Sequence, residues 1–132
     1  MSHPIFISWM NETSDTLQFG QPTAREGTLP SATPTSMPAS GSSSVTADQV
    51  GNFQPGPVGS FLWINVSNDN ETVSASYVHP AGFGQSSVTV ACSANYQVSD
   101  DGATWHQANT YEDPSLEQHT ATIKLYIRPT PA

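Results

Sequence analysis

The chain has 132 residues and a formal net charge of -8, because 11 acidic side chains stand against three basic ones, and only 11% of its residues are charged. Binding to a phosphate backbone needs a cluster of cations, so the sequence excludes nucleic acid as a partner and disfavours charge-driven docking on anionic lipid. A chain of this length buries enough apolar surface to fold as one domain, residues 1–132.

Disulfides and targeting segments do not explain the fold. The single cysteine, Cys92, excludes an internal disulfide, and it alternates with Val88 and Val90 on the apparent core face, where a thiol packs as a small hydrophobe. The first ten residues lack the basic flank and apolar stretch of a signal peptide, and no run of 18 apolar residues follows. We therefore expect synthesis in the cytoplasm without a signal peptide.

The apolar residues alternate with period two, and 11 prolines with nine glycines interrupt any helical stripe. Such alternation predicts half-buried strands. About eight strands are expected, from segments that run in chain order over Ile5–Met10, Thr16–Phe19, Ser43–Asp48, Phe61–Val66, Thr72–Val78, Ser87–Cys92, Tyr96–Ser99, Ala103–Gln107 and Thr120–Arg128.

The connections between these segments predict the architecture. Residues 20–41 hold four prolines and many Ser and Thr residues, which is typical of a long irregular loop. The pair Asp101-Gly102 suits a type I′ turn. Short strands in antiparallel hairpins, with no parallel crossover, indicate a β-sandwich or a closed barrel. We expect an all-β, single-domain antiparallel sandwich with one long Pro/Ser/Thr-rich loop.

Chemistry that would make an enzyme is not recognisable in the sequence. His106 and His119 have no partner at zinc-ligand spacing, and His3 and His79 are isolated, so all four are expected to be scattered turn or surface residues. No Gly-x-Ser-x-Gly nucleophile motif is present. We expect a protein that is not an enzyme and that uses no cofactor and no metal.

The candidate binding residues are aromatic. In the predicted strand Phe61–Val66, the apolar residues Leu62, Ile64 and Val66 share one face and the rings share the other. If that second face is open to solvent, its rings contact a ligand; the alternative is that both faces are covered and every tryptophan lies in the core. The expected ligand or lipid contacts are Phe61, Trp63, Trp105, His106 and Tyr111.

Four short motifs occur in an order that resembles a known family. They are Ile5–Gln18 (IFISWMNETSDTLQ), Pro34–Ala39 (PTSMPA), Gly56–Ile64 (GPVGSFLWI) and His79–Gly82 (HPAG). The family is the aegerolysin-type small cytolysins, and especially the small component of bacterial two-component beetle-active crystal toxins. This chain departs from the family in its His79, in its many Ser and Thr residues and in its acidic balance.

The resemblance implies a compact β-sandwich that binds a membrane lipid, a glycolipid or a receptor. It implies permeabilisation of a target membrane, often with a second, larger protein, and release by lysis or an unconventional route; it implies no catalysis. The motifs contain fold positions rather than chemistry, since glycine allows sharp corners and proline ends a strand. The expected fold-critical turn residues are Gly56, Gly59, Pro80, Gly82 and Gly102.

Two other functions fit the same predicted sandwich. The first is a carbohydrate-binding lectin, in which Trp63, Trp105 and Tyr111 stack on sugars. The second is a self-assembling structural protein, a homo-oligomer whose terminal strands or exposed sheet edges pair between subunits.

Overall fold

The computed structural model describes residues 3–51, 54–82, 84–114 and 119–132. It is a single-domain all-β sandwich of two sheets, which confirms the predicted fold class. The 11 strands are β1 (Ile5–Asn11), β2 (Leu17–Glu26), β3 (Ser31–Thr33), β4 (Ser36–Met37), β5 (Ser42–Ala47), β6 (Val58–Asn65), β7 (Asn68–Val78), β8 (Ser87–Cys92), β9 (Tyr96–Ser99), β10 (Ala108–Glu112) and β11 (Ala121–Pro129).

The five-stranded sheet has the order β3-β5-β1-β11-β9, and the six-stranded sheet has the order β10-β8-β7-β6-β2-β4. All strand pairs but one are antiparallel. β1 and β11 are parallel, with Ile5 opposite Ala121 and Asn11 opposite Ile127. The sequence predicts antiparallel hairpins without parallel crossovers, and it does not indicate this pair of strands. Alternation within a strand carries no information on the direction of its neighbour, and these two strands come from opposite ends of the chain.

Residues 20–41 are more regular than expected. The second half of β2 and the short strands β3 and β4 lie within this segment, so the predicted long irregular loop is wrong. β3 pairs with β5 over three residues, and β4 pairs with β2 over two. Edge strands this short have little pattern of their own, because pairing with a longer neighbour orders them.

The chain after β9 also differs from the prediction. Residues 103–107 form no strand, although His106 makes an isolated bridge to Val98, and the strand lies instead at Ala108–Glu112. Gly102 has a positive φ of 74°. Asp101 is not among the residues with positive φ, as a type I′ turn would require, so that turn type is wrong. The carboxylate of Asp101 instead accepts the N–H groups of Ala103 and Thr104, each at 2.8 Å.

The core lies between the sheets and is rich in aromatic rings. Trp9 packs edge to face on Phe61, with ring centroids 5.9 Å apart, and Phe19 lies 5.7 Å from Trp63. Tyr77 lies 6.3 Å from Phe61. Cys92 packs half-buried against the core, as its alternation with Val88 and Val90 predicts. The core therefore combines contacting aromatic rings with the aliphatic side chains around them.

Two of the expected turn glycines are required by close packing. A Cβ atom at Gly56 would collide with the backbone carbonyl of His79, and one at Gly59 would collide with the carbonyl of Thr23 and the Tyr77 hydroxyl. A Cβ atom at Gly82 meets nothing within 4 Å, so close packing does not require glycine at this position. Its surroundings are open because it lies on an exposed connection.

Candidate functional site

Three of the five expected contact residues lie in the core. Phe61, Trp63 and Tyr111 are 1%, 0% and 4% exposed, and the Tyr111 hydroxyl donates to the Val98 carbonyl at 3.1 Å. Their expected exposure is wrong, because the six-stranded sheet turns this face inward against the other sheet. The outer face carries Leu62 and Ile64 instead. A sugar platform made of Trp63, Trp105 and Tyr111 does not form.

The other two expected contacts lie beside the five-stranded sheet. Trp105 and His106 are half-buried, and the Arg128 guanidinium lies over the Trp105 ring, 4.5 Å from its centroid. Arg128 also donates to the Gln97 side-chain oxygen from two nitrogens, at 3.0 and 2.7 Å. A guanidinium held against an aromatic face is a stable cation–π pair, so the loop that carries Trp105 is fixed on the sheet.

Hydrogen bonds within that loop keep Trp105 in place. The backbone N–H groups of Thr104 and Ala103, together with the Ser99 hydroxyl, donate to the Asp101 carboxylate. These donors hold the pKa of the Asp101 carboxyl well below its usual range. The loop is therefore ordered by the ionised form of Asp101.

Half-buried apolar and aromatic side chains continue from Trp105 across the outer side of the same sheet. Alternation places Phe6 and Met10 of β1 on this side, and the register sets Met10 opposite Tyr126 of β11. The Lys124 ammonium lies 5.4 Å from the centroid of the Tyr126 ring. We call this surface the aromatic–cation face; it consists of Phe6, Ser8, Met10, Ser42, Ser44, Gln97, Trp105, Lys124, Tyr126 and Arg128.

A shallow depression of about 350 Å³ opens on this face beside Lys124. Its rim includes Ser8, Ser42 and Ser44, which lie on neighbouring strands because Ser8 is paired with both Ser44 and Lys124. Hydroxyl groups with one ammonium group can bind a polar, uncharged or phosphate-bearing group. The depression is therefore a candidate place for a small polar headgroup.

The charge of the molecule is distributed unevenly between the sheets. The strands β1, β3, β5, β9 and β11 contain no Asp or Glu, and they carry Lys124 and Arg128, two of the three basic residues of the chain. The five-stranded sheet thus has a charge of +2, which leaves -10 on the rest of the sequence. The side chains of the aromatic–cation face include two cations and no carboxylate, although Asp100 and Asp101 lie in the loop that carries Trp105.

A second group of polar side chains lies at one end of the sandwich, and it includes three histidines that the sequence placed far apart. The rings of His3 and His79 are stacked with centroids 3.8 Å apart, and the ring of His119 lies edge-on to His3 at 5.9 Å. His3 and His79 are buried. The expectation that these residues are isolated is wrong, because three chain segments meet at this end. No spacing rule in the sequence signals their proximity.

Hydrogen bonds connect this histidine cluster, which consists of His3, His79 and His119, to its surroundings. His79 Nδ1 lies 2.5 Å from the Ser86 hydroxyl, and its Nε2 donates to the His119 carbonyl at 2.9 Å. His3 Nε2 donates to the Pro80 carbonyl at 2.6 Å. Because Ser86 is also buried, this arrangement holds the end of the sandwich together.

Within residues 3–51, 54–82, 84–114 and 119–132, no group of three or more His, Cys, Asp or Glu side chains is placed to hold a metal ion. In the same part of the chain, no helix is long and apolar enough to span a membrane.

Comparison with known proteins identifies the fold. No protein-family model matches the chain, and no curated protein matches its sequence. The structure is similar to IP-1A from Alcaligenes faecalis, with a TM-score of 0.64, 10% identity and coverage of 98% of this chain and 92% of that one. It is also similar to the RahU protein, solved in complex with a TRIS molecule, with a TM-score of 0.68, 15% identity and coverage of 98% and 97%. At these identities the likeness shows the fold alone, that of a small two-sheet β protein.

Proposed function

We propose that this chain is a non-enzymatic, cytolysin-like protein of the aegerolysin type, which binds a membrane lipid or glycolipid through its aromatic–cation face. The observation that carries the proposal is the asymmetry of the five-stranded sheet, which has a charge of +2 and half-buried aromatic side chains on its outer side. The shared fold and the motif order of the sequence support the same class of protein.

The physical mechanism rests mainly on aromatic and hydroxyl contacts. Tyr and Trp rings are favoured at the depth of lipid headgroups, where one part of the ring is in apolar surroundings and the other meets water. Two cations contribute about 1 kcal/mol each near an anionic surface, which is too little for stable docking. The charge of the rest of the chain is repelled by such a surface. The cations therefore orient the protein, and Trp105, Tyr126 and Phe6 supply contact.

The depression beside Lys124 suits the headgroup itself. The hydroxyl groups of Ser8, Ser42 and Ser44 can donate to and accept from a sugar or a phosphate, and the Lys124 ammonium can donate to an oxygen. The net charge of -8 disfavours a strongly anionic membrane, so a neutral or zwitterionic headgroup fits this protein better. A glycolipid or a phospholipid such as phosphatidylcholine or phosphatidylethanolamine is the expected class of ligand.

Vesicle flotation tests this assignment with matched variants. Vesicles of phosphatidylcholine, phosphatidylethanolamine, or phosphatidylcholine with added glycolipid are mixed with the protein, and bound protein is measured. Lys124→Gln removes the ammonium that donates to a headgroup oxygen, a hydrogen bond worth about 1 kcal/mol, and is expected to weaken binding about fivefold. Arg25→Gln removes an exposed cation from β2, in the other sheet, and is expected to change binding less than about twofold.

Trp105→Ala tests the aromatic part of the face and is expected to weaken binding at least about tenfold. Binding that is equal for wild type, Lys124→Gln and Trp105→Ala contradicts the assignment of this face. Binding to insect or red cells, without binding to any protein-free vesicle, indicates a protein receptor. Inhibition by a free saccharide indicates a lectin, and leakage that requires a second protein indicates a two-component toxin.

A further inference from the structure

The histidine cluster joins the two sheets at one end of the sandwich and shares no residue with the proposed binding face. His3 lies just before β1 and His119 lies just before β11, both in the five-stranded sheet. His79 directly follows β7 of the six-stranded sheet. The stacked pair of His3 and His79 therefore joins the two sheets. Its loss would separate the segment before β1 from the segment after β7.

The hydrogen bonds define where the protons lie at neutral pH. A carbonyl oxygen only accepts, so the Nε2 atoms of His3 and His79 both carry hydrogen. In neutral His79 the other nitrogen, Nδ1, has a lone pair and accepts the Ser86 hydroxyl. A proton added at Nδ1 makes this nitrogen a donor and reverses the bond, while the ring becomes a cation in a buried site.

The charged groups around His79 come from four neighbouring segments. The carboxylates of Asp113, after β10, and Asp48, after β5, favour a protonated ring. Each of them already accepts a backbone N–H group, from Thr122 at 2.9 Å and from His3 at 2.7 Å. The ring centroids of His3 and His79 are 3.8 Å apart, so a positive charge on His3 disfavours a second positive charge on His79. The ring of His119 lies edge-on to His3.

The balance of these effects has a definite sign. Burial lowers the pKa of His79 below its ordinary value, and the positive charge of His3 lowers it further, although the His119 carbonyl and the two carboxylates raise it. In an open state, in which His79 has left the cluster and its ring contacts water, the ring titrates near the ordinary histidine pKa of about 6.5. In the closed state the His3 and His79 rings are stacked. Protons therefore bind the open state more strongly. The closed state is fully favoured above that pH and loses stability as the pH falls below it.

We propose that the stacked His3–His79 pair is an acid-sensitive latch, which holds the two sheets together at this end at neutral pH and releases His79 from Ser86 and from the His119 carbonyl on mild acidification. The rest of the sandwich stays folded during this release, because its aromatic core contains none of the three clustered histidines. For each proton that binds the open state and not the closed state, the population of the open state rises up to about tenfold for every unit by which the pH falls.

Amide hydrogen exchange followed by nuclear magnetic resonance tests the latch in the intact chain. The N–H groups of His79, Asp113 and Ala121 report on this end, since they donate to the carbonyls of Pro57, Ser86 and Pro4. The N–H groups of Glu12, Val66 and Thr130 report on the opposite end, with the carbonyls of Ile127, Thr16 and Asn95 as acceptors. Rates are divided by the intrinsic rate at each pH.

Between about pH 7.5 and about pH 5, the three amides near the cluster are expected to lose protection at least about tenfold, while those at the opposite end change less than about twofold. His3→Gln keeps a donor for the Pro80 carbonyl and removes the positive charge beside His79, so the acid response is expected to become smaller, while burial of His79 retains part of it. His106→Gln removes the one histidine outside the cluster and is expected to keep the wild-type response.

Three results overturn the latch. They are protection that does not change with pH, an equal loss at both ends, and an unchanged acid response in His3→Gln. If His3→Gln does not fold, the ring signals of the wild type decide the question. The latch requires His79 to remain neutral until the nearby amides lose protection, so a His79 ring that titrates near pH 6.5 with full protection contradicts it.

Discussion

Replacement of Trp63 by alanine separates a core role for this residue from a surface role. The side chain is 0% exposed and packs against Phe19 at 5.7 Å and Trp9 at 6.3 Å. Burial of a tryptophan removes roughly 150–250 Å² from water, and large-to-small changes of this kind cost about 3–5 kcal/mol. Among the residues that the structure describes, the indole Nε1 has no hydrogen-bond partner, so its removal relieves part of this cost.

We therefore expect Trp63→Ala to lower the free energy of unfolding by about 3–4 kcal/mol, a large fraction of the roughly 5–15 kcal/mol of a typical domain. The measurement is urea unfolding followed by far-ultraviolet circular dichroism, which does not depend on the tryptophan that is removed. Trp63→Phe keeps the ring packing and removes the unpaired donor. It is expected to cost at least about 2 kcal/mol less than the alanine variant.

Trp105→Ala is the matched control, because Trp105 is half-buried and its main contact is the Arg128 guanidinium. It is expected to cost about 1 kcal/mol. A Trp63→Ala protein as stable as wild type, with reduced vesicle binding, would refute the assignment of Trp63 to the core and would return it to the binding surface.

Three further measurements test the packing and the loops. Gly59→Ala is expected to destabilise the protein by at least about 2 kcal/mol in urea unfolding, since the added Cβ atom collides with the Thr23 carbonyl. Gly82→Ala is the control and is expected to change the free energy of unfolding by less than about 0.5 kcal/mol. Equal effects of the two substitutions would contradict the packing around Gly59. Asp101→Asn is expected to release the loop that carries Trp105, seen as faster exchange of the Ala103 and Thr104 amides. In the wild type the same loosening should occur as the pH falls below about 4, because the lowered pKa of Asp101 gives stability that is complete above that range and lost below it. Burial raises the pKa of the Cys92 thiol to about 12, so its reaction with a disulfide reagent at neutral pH should be much slower than that of free cysteine, and an equal rate would show that the thiol is accessible.

Several elements of the fold could be predicted from alternation alone. β8 and β9 have the predicted bounds, Ser87–Cys92 and Tyr96–Ser99, and β1 and β11 differ from the prediction by about one residue at either end. These strands have strong alternation because one side of each is buried for its whole length. β3 and β4 were missed, since their order comes from pairing with β5 and β2.

The candidate site was only partly predictable. Trp105, a predicted contact residue, lies on the aromatic–cation face, but the rest of that face comes from β1, β5, β9 and β11, which are far apart in the sequence and adjacent only in the sheet. The histidine cluster was missed for the same reason. His3, His79 and His119 lie on three segments that are distant in the sequence and are close together only in the folded structure. The spacing of residues within one segment therefore does not predict their contact.

The amino-acid sequence by itself determined the all-β class, the sharing of one face by Phe61 and Trp63, and the shortage of cations, because alternation and charge are local properties of the chain. Only the tertiary structure decided which face lies inside. A strand with apolar side chains on both sides, such as β6, can bury either one, and its choice depends on the layer that packs against it. Packing of the two sheets buries the Phe61 and Trp63 rings. The aromatic side chains on the outer surface therefore belong to β1 and β11, and the three histidines, distant in the sequence, lie together at one end.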